Sequence, residues 1–215
     1  MSKIISIVAS KGGVGKTTVS SVLAEELSKN FKVAVFDCDC NQYSIEAVSS
    51  SGLLNFDFMT IENEVELKDA IKNFKNEFDY IICDTAPHSH MSSFFLDILK
   101  KSDTVIGVTQ PSPNDILAFE KIMLNVLDAS QELSPSQRQF LLVNRVENVQ
   151  SDIQKQSFEL IENLLAKKLN TLTSKLHNRA AFKSHGYFSV DQSKDLKKIK
   201  EVQCLVKELL DKGGL

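Results

Sequence analysis

The chain has 215 residues, 42% hydrophobic and 25% charged, which excludes a disordered or low-complexity protein and predicts one domain with a substantial core. No apolar run approaches the roughly 20 residues of a membrane span. The N-terminus passes straight into a strand pattern, so no secretory signal is expected and the cytoplasm is the default compartment. The four cysteines, at 38, 40, 83 and 204, suggest neither a disulfide framework nor a metal site, since Cys38-Asp-Cys40 has no second close Cys/His pair. The net charge of −3 hides an asymmetry: residues 1–164 carry 14 Lys/Arg against 23 Asp/Glu, and residues 165–215 carry 11 against 5. A basic C-terminal quarter on an acidic body fits either a polyanion partner or a solvated lysine-rich helix face.

The first informative stretch follows the apolar run Ile4–Ala9. It reads Lys11-Gly-Gly-Val-Gly-Lys-Thr-Thr18, and Val19–Leu27 after it has apolar residues at helical spacing. Strand, glycine-rich turn and helix form the context of a phosphate-binding loop, in which glycines let several N–H groups converge on one anion and the helix N-terminus adds its positive end. Gly12, Gly13, Val14, Gly15 and Thr18 would form the cradle. Lys16 would reach the outer phosphates and Thr17 would place its hydroxyl on Mg²⁺. The commonest form of such a loop needs a glycine where this chain has Ser10.

Further along, Lys32–Asp37 is a fully apolar run ending in acid, as suits a central strand of a parallel sheet. Asp37 and Asp39 stand at its C-terminal end, where carboxylates meet the ligand crevice of such sheets and can hold metal-bound water or orient an attacking one. Residues 52–62 suggest an irregular strand, and Glu64–Asn76 an amphipathic helix with Val65, Leu67, Ala70, Ile71 and Phe74 inward. The run Phe78–Cys83 ends in Asp84, a strand-end carboxylate suited to Mg²⁺. His88 and His90 read as loop residues. A helix over 91–101 and a buried strand over 103–109 come next. Two prolines then break the chain before a helix at 116–130, for which Asn114 or Asp115 offers an N-cap. Residues 139–146 suggest a strand carrying Asn144 near its end, and 152–169 a long helix. The closing helix, 195–210, places Leu196, Ile199, Val202, Leu205, Val206 and Leu209 on one face. Strands alternating with helices in this way predict a three-layer α/β fold, a mostly parallel twisted sheet with helices on both faces.

The stretch Lys11–Thr18 resembles the deviant Walker A box of the ParA/MinD group of P-loop ATPases, and the resemblance covers nearly the whole chain. It implies that Lys11 crosses a dimer to the partner's nucleotide and that ATP and Mg²⁺ are the ligands. The group carries Asp-x-Asp-Pro-Gln where this chain has Asp37-Cys-Asp39-Cys-Asn. Asp39 thereby takes the hydrolytic role and Asp37 supports the magnesium shell, with a turn of altered sequence behind them. Thr85-Ala-Pro87 resembles a switch loop that senses the γ-phosphate, and Pro111–Asp115 resembles a loop at the dimer face and nucleotide rim. Asn144 matches an asparagine that reads adenine; an amide tying down its own turn is the alternative.

Lys175–Gly186 is similar to a segment of short plasmid-partition ATPases, which lack an N-terminal DNA-reading domain. The expectation is thus a single domain over 1–215 with a basic helical portion from about 170. It would dimerise on ATP and bind nonspecific DNA through Lys175, Arg179, Lys183, Lys197, Lys198 and Lys200, associating with the nucleoid. A small centromere-binding protein would stimulate hydrolysis, and no membrane is expected. A MinD-like ATPase acting on membrane or protein cargo, and a P-loop ligase resembling dethiobiotin synthetase, are the alternatives.

Overall fold

The apolar runs become strands because each is buried on both sides. The computed structural model describes residues 1–39, 55–87, 92–149, 151–178 and 196–215, the last with side chains from 199 onward. In chain order the elements are β1 (Lys3–Val8), α1 (Lys16–Leu27), β2 (Val33–Cys38), β3 (Asp57–Thr60), α2 (Glu64–Phe74), β4 (Tyr80–Thr85), α3 (Ser93–Lys101) and β5 (Thr104–Thr109). Helix α4 (Pro113–Ala118) runs through a π-helical turn (Phe119–Met123) into α5 (Leu124–Leu133). After β6 (Arg138–Val146), α6 (Asp152–Leu160) ends in a second π-helical turn (Ile161–Leu165), followed by β7 (Asn170–His177) and α7 (Leu196–Asp211).

Among the described residues seven strands form one sheet in the order β3-β2-β4-β1-β5-β6-β7, with every pairing parallel. Side chains alternate between its faces. Ile5, Ile7, Val35, Ile82, Val108, Leu142, Leu172 and Leu176 pack with α1 and with Val202, Leu205 and Leu209 of α7. On the other face Val8, Val105, Leu141 and Val143 meet α3 to α6, while Phe36, Ile81 and Cys83 meet α2 and Ile98 of α3. Two helical layers therefore enclose one sheet, the expected architecture. Helix α1 is buried nearly all round, Val22, Leu23 and Ala24 being fully enclosed, so the loop that precedes it is anchored in the core.

The differences from the sequence reading are local. Val65, expected inward, points to solvent. In α2 this follows from the cap: the Asn63 side chain accepts from the N–H groups of Val65 and Glu66, which fixes Val65 on the outer face of the first turn. Helix α4 starts at Pro113 behind Ser112, so neither Asn114 nor Asp115 is its N-cap. The C-terminal quarter is not helical throughout, because β7 occupies Asn170–His177 at the sheet edge. Its exposed side is covered by carboxylates of α7: Glu208 accepts from the N–H groups of Thr173 (2.8 Å) and Ser174 (2.7 Å), and Glu201 from that of His177 (3.1 Å).

Candidate nucleotide site

Strand β1 lies between β4 and β5, and the chain leaves it toward β2 on one side before returning through β4 to β5 on the other. The loop after β1 thus opens at the point where the strand order reverses, the usual ligand crevice of an open parallel sheet. Gly13 (φ 78°) and Gly15 (φ 97°) both adopt left-handed backbone, which a side chain would resist. Gly15 is the N-cap of α1, yet no side chain caps that end and no acid lies in its first turn. The first-turn N–H groups are left to face an anion.

Lys16 begins α1 and is buried. Burial lowers the pKa of its ammonium, against the attraction of Asp84 and Asp39. Asp37 and Asp84 are paired in register on adjacent strands. Asp84 is buried and accepts from the Ser20 hydroxyl at 3.1 Å. Burial raises its carboxyl to about 6, with Asp37 adding to the shift while hydrogen bonding to Thr17 and Ser20 and the charge of Lys16 oppose it. The backbone N–H of Asp39 donates to Asp37 Oδ1 at 3.0 Å, which fixes the start of the turn beyond β2. Lys16, Thr17, Asp39, Asp37 and Asp84 are therefore brought together. The oxygen donors Thr17, Asp37 and Asp84 fit Mg²⁺, a hard cation that takes one or two carboxylates and otherwise water and phosphate. The buried thiols of Cys38 and Cys83 fit it poorly, and no group of three or more His, Cys, Asp or Glu forms a metal cage among the described residues.

Two loops press on this cradle. Thr85 donates its hydroxyl to the carbonyl of Ile7 at 2.7 Å, and Pro87 lies 3.8 Å from where a Cβ on Gly12 would stand. From β6, the Asn144 amide donates to the carbonyl of Val14 at 2.7 Å. Asn144 does not tie down its own turn; it braces the phosphate loop. The next residue, Arg145, has left-handed backbone (φ 57°) where β6 departs from regular register with β7. It borders a cleft of about 370 Å³ with Gln110, Ser112, Glu147 and Gln154.

Lys11, its side chain 42% exposed, is turned back onto its own chain. Its ammonium donates to Asp115 Oδ1 at 2.8 Å and to the Asn114 carbonyl at 3.2 Å. Gln110 Nε2 donates to the other carboxylate oxygen at 2.5 Å. Burial works against the charge of Asp115, but hydrogen bonds from Lys11, Gln110 and Ser112 hold its carboxyl below the usual range.

The basic patch drawn from the sequence divides. Lys175 is on the α6 side of β7, its ammonium 3.9 Å above the ring of Phe158, whereas Leu172 and Leu176 turn toward α7. Lys175 therefore does not share a face with Lys200, which is exposed on α7. On the same helix Lys207 is paired with Asp211, and Lys212, just beyond its end, with Glu208. His88, His90, the Cys40-Asn41 turn, Arg179, Lys183 and the side chains of Lys197 and Lys198 lie outside the described residues.

Sequence reasoning missed Ser20, Gln110 and Arg145, and saw Asp115 only as a cap or as part of a loop. Ser20 carried a signal, standing three residues after Thr17 on the same helical face. The partners of Asp115 and the backbone of Arg145 arise from tertiary contacts and left none.

Residues 5–187 match the model of the CobQ/CobB/MinD/ParA nucleotide binding domain. The chain is 26% identical over 231 aligned positions to the uncharacterized protein BBD21 of Borreliella burgdorferi, covering 94% of this chain and 88% of that one. Among solved structures, McdA of Cyanothece without nucleotide superposes with a TM-score of 0.78 at 17% identity, over 98% of this chain and 100% of that one. A plasmid partition protein of Borrelia burgdorferi superposes with a TM-score of 0.68 at 21% identity, over 98% and 99%. At such identities the structural likeness establishes the P-loop fold, while the match over residues 5–187 establishes the lineage: the chain belongs to the CobQ/CobB/MinD/ParA nucleotide-binding family.

Proposed function

We propose that the protein is a dimerising ATPase switch that partitions plasmid or chromosomal DNA. The observation that carries this reading is the pair of lysines on one phosphate loop, Lys16 buried within the cradle and Lys11 partly exposed at its rim. A catalytic site that needed only one subunit would have no use for a second cation held outside the cradle. ATP would lie on Gly12–Thr18, with Lys16 at its outer phosphates. Thr17, Asp84 and Asp37 would hold Mg²⁺, which neutralises charge on the phosphate oxygens. Asp39 would orient the attacking water and Asn144 would fix the loop under the phosphates, its carbonyl oxygen facing the adenine edge. Lys11 of one subunit would reach the nucleotide of the other, so that dimer formation and hydrolysis depend on each other.

The partition role is supported by the likeness to a plasmid partition protein and by the excess of lysine and arginine over acid after residue 164. Within that role a small centromere-binding protein would stimulate hydrolysis, and the ATP dimer would bind DNA through phosphates, without sequence preference. The test is DNA binding with ATP, ADP or no nucleotide, on two unrelated duplexes across a salt series, with anionic liposomes in parallel. Binding to both duplexes only with ATP, lost as salt rises, supports the reading. ATP-dependent sedimentation with liposomes and not with DNA replaces it with a membrane-positioning role.

A further inference from the structure

We propose that Asp115 is a positioning residue for Lys11: it holds the lysine against its own subunit when no nucleotide is bound, and dimer formation must exchange that contact for the partner's nucleotide. The inference rests on the reading of Lys11 as acting across the dimer.

The contact is built into the fold. The pairs Lys68–Glu64, Lys155–Asp152 and Lys207–Asp211 each lie within a single helix, whereas Lys11 and Asp115 are 104 residues apart and join the loop after β1 to the first turn of α4. Asp115 is nearly buried, and each of its carboxylate oxygens has its own donor, Lys11 on one and Gln110 on the other. Lys11 contributes a second bond, to the carbonyl of Asn114. By contrast, 42% of the lysine side chain remains open to solvent. One member of the pair is thus fixed and the other can leave.

Departure has a consequence for the member left behind. Among the described residues Lys11 is the cation at Asp115, and Gln110 and Ser112 supply only neutral donors. A nearly buried carboxylate that loses its cation is destabilised, so a second subunit must offer Lys11 more than Asp115 does. Asp115 therefore raises the nucleotide concentration at which subunits associate, and keeps Lys11 away from the nucleotide of its own subunit.

The test is sedimentation velocity of the whole protein titrated with AMPPNP and Mg²⁺, for the wild type, Asp115→Asn and Lys11→Ala. Asparagine preserves shape and removes the charge. The expected result is dimerisation of Asp115→Asn at about two- to fivefold lower AMPPNP, the range that a half-exposed ion pair supports, with Lys11→Ala remaining monomeric. An unchanged or higher midpoint for Asp115→Asn, with Lys11→Ala monomeric, overturns the positioning role alone. Dimerisation of Lys11→Ala at the wild-type midpoint overturns the reading of Lys11 itself.

A second measurement needs no dimer. Acetylation of Lys11 in the nucleotide-free protein, followed by mass spectrometry, should be several-fold faster in Asp115→Asn and in Gln110→Ala, relative to exposed Lys200 as an internal standard. Equal rates in the wild type and both variants overturn the proposal.

Discussion

The amide of Asn144 and the carbonyl of Val14, 130 residues apart in sequence, are joined by a hydrogen bond of 2.7 Å that fastens the end of β6 to the phosphate loop. Val14 lies between the two left-handed glycines, so this bond holds the part of the loop that has no regular structure of its own. Asn144→Ala leaves a buried carbonyl unpaired and should lower stability by about 1–3 kcal/mol. Nucleotide affinity should fall with it, since a loop that must be ordered on binding takes its ordering entropy from the binding energy. Thermal unfolding and titration with a fluorescent ATP analogue measure the two effects.

Two glycines of the loop, Gly15 and Gly12, differ in what they tolerate. A Cβ on Gly15 would stand 2.2 Å from Asn144 Nδ2 and would also meet a φ of 97°, while a Cβ on Gly12 has its nearest neighbour, Pro87, at 3.8 Å. Gly15→Ala should therefore destabilise the protein by several kcal/mol and abolish nucleotide binding, because either the loop or Asn144 must move. Gly12→Ala should leave the melting temperature within a few degrees of the wild type. Parallel melts of the two variants without nucleotide make the comparison.

Asp84 gives the stability a pH dependence of unusual sign. Its carboxyl is raised from 3.8 to about 6 in the folded chain, so between those values the native state binds more protons than the unfolded one. Its contribution is therefore most favourable at low pH and is lost as pH rises through about 6, a change of about 3 kcal/mol at most. Asp84→Asn should abolish this slope and be more stable than the wild type at pH 7.5 without nucleotide, while weakening Mg²⁺-dependent nucleotide binding. Urea unfolding at pH 5 and 7.5 shows the first effect, and nucleotide titration with and without Mg²⁺ the second.

Glu208 has the opposite sign. Burial disfavours its charge, but hydrogen bonds from Ser174, the N–H of Thr173 and Lys212 dominate and hold its carboxyl at about 2 instead of 4.5. Its stabilisation is complete above about pH 4.5 and disappears as pH falls toward 2. Discounted for the partial exposure of the side chain, Glu208→Gln should lower stability at pH 7 by about 1–2 kcal/mol. The gap to the wild type should narrow as pH falls below about 4.5 and close only below about pH 2, as followed by circular dichroism during acid titration.

What the sequence revealed followed from how local each signal was. The phosphate loop was legible because its glycines, two lysines and Thr17 fall within eight consecutive residues. Asp84 was legible because an apolar strand leads straight into it. Strand β7 was missed because its buried apolar residues lie on one face only, and its Thr, Ser and Lys residues mask the alternation of Leu172 and Leu176. Missing it also misplaced Lys175, whose odd offset from Leu176 sends it to the other face of the sheet. The π-helical turns after Ala118 and Leu160 leave no mark on hydrophobic spacing over so few residues. The bond between Lys11 and Asp115 depends on the approach of the loop after β1 to the start of α4, which only the assembled sheet brings together.

The carboxylates of Glu201 and Glu208 have a consequence for assembly. A strand at the end of a sheet offers N–H groups to any chain that can lie alongside, and this is the common route from folded protein to aggregate. Here those groups on Thr173, Ser174 and His177 already have acceptors from α7. Another copy approaching β7 would meet two acids and a helix where it needed a free backbone. The sheet is therefore closed to extension at β7, and any second copy that meets this end of the molecule must do so through helices and loops.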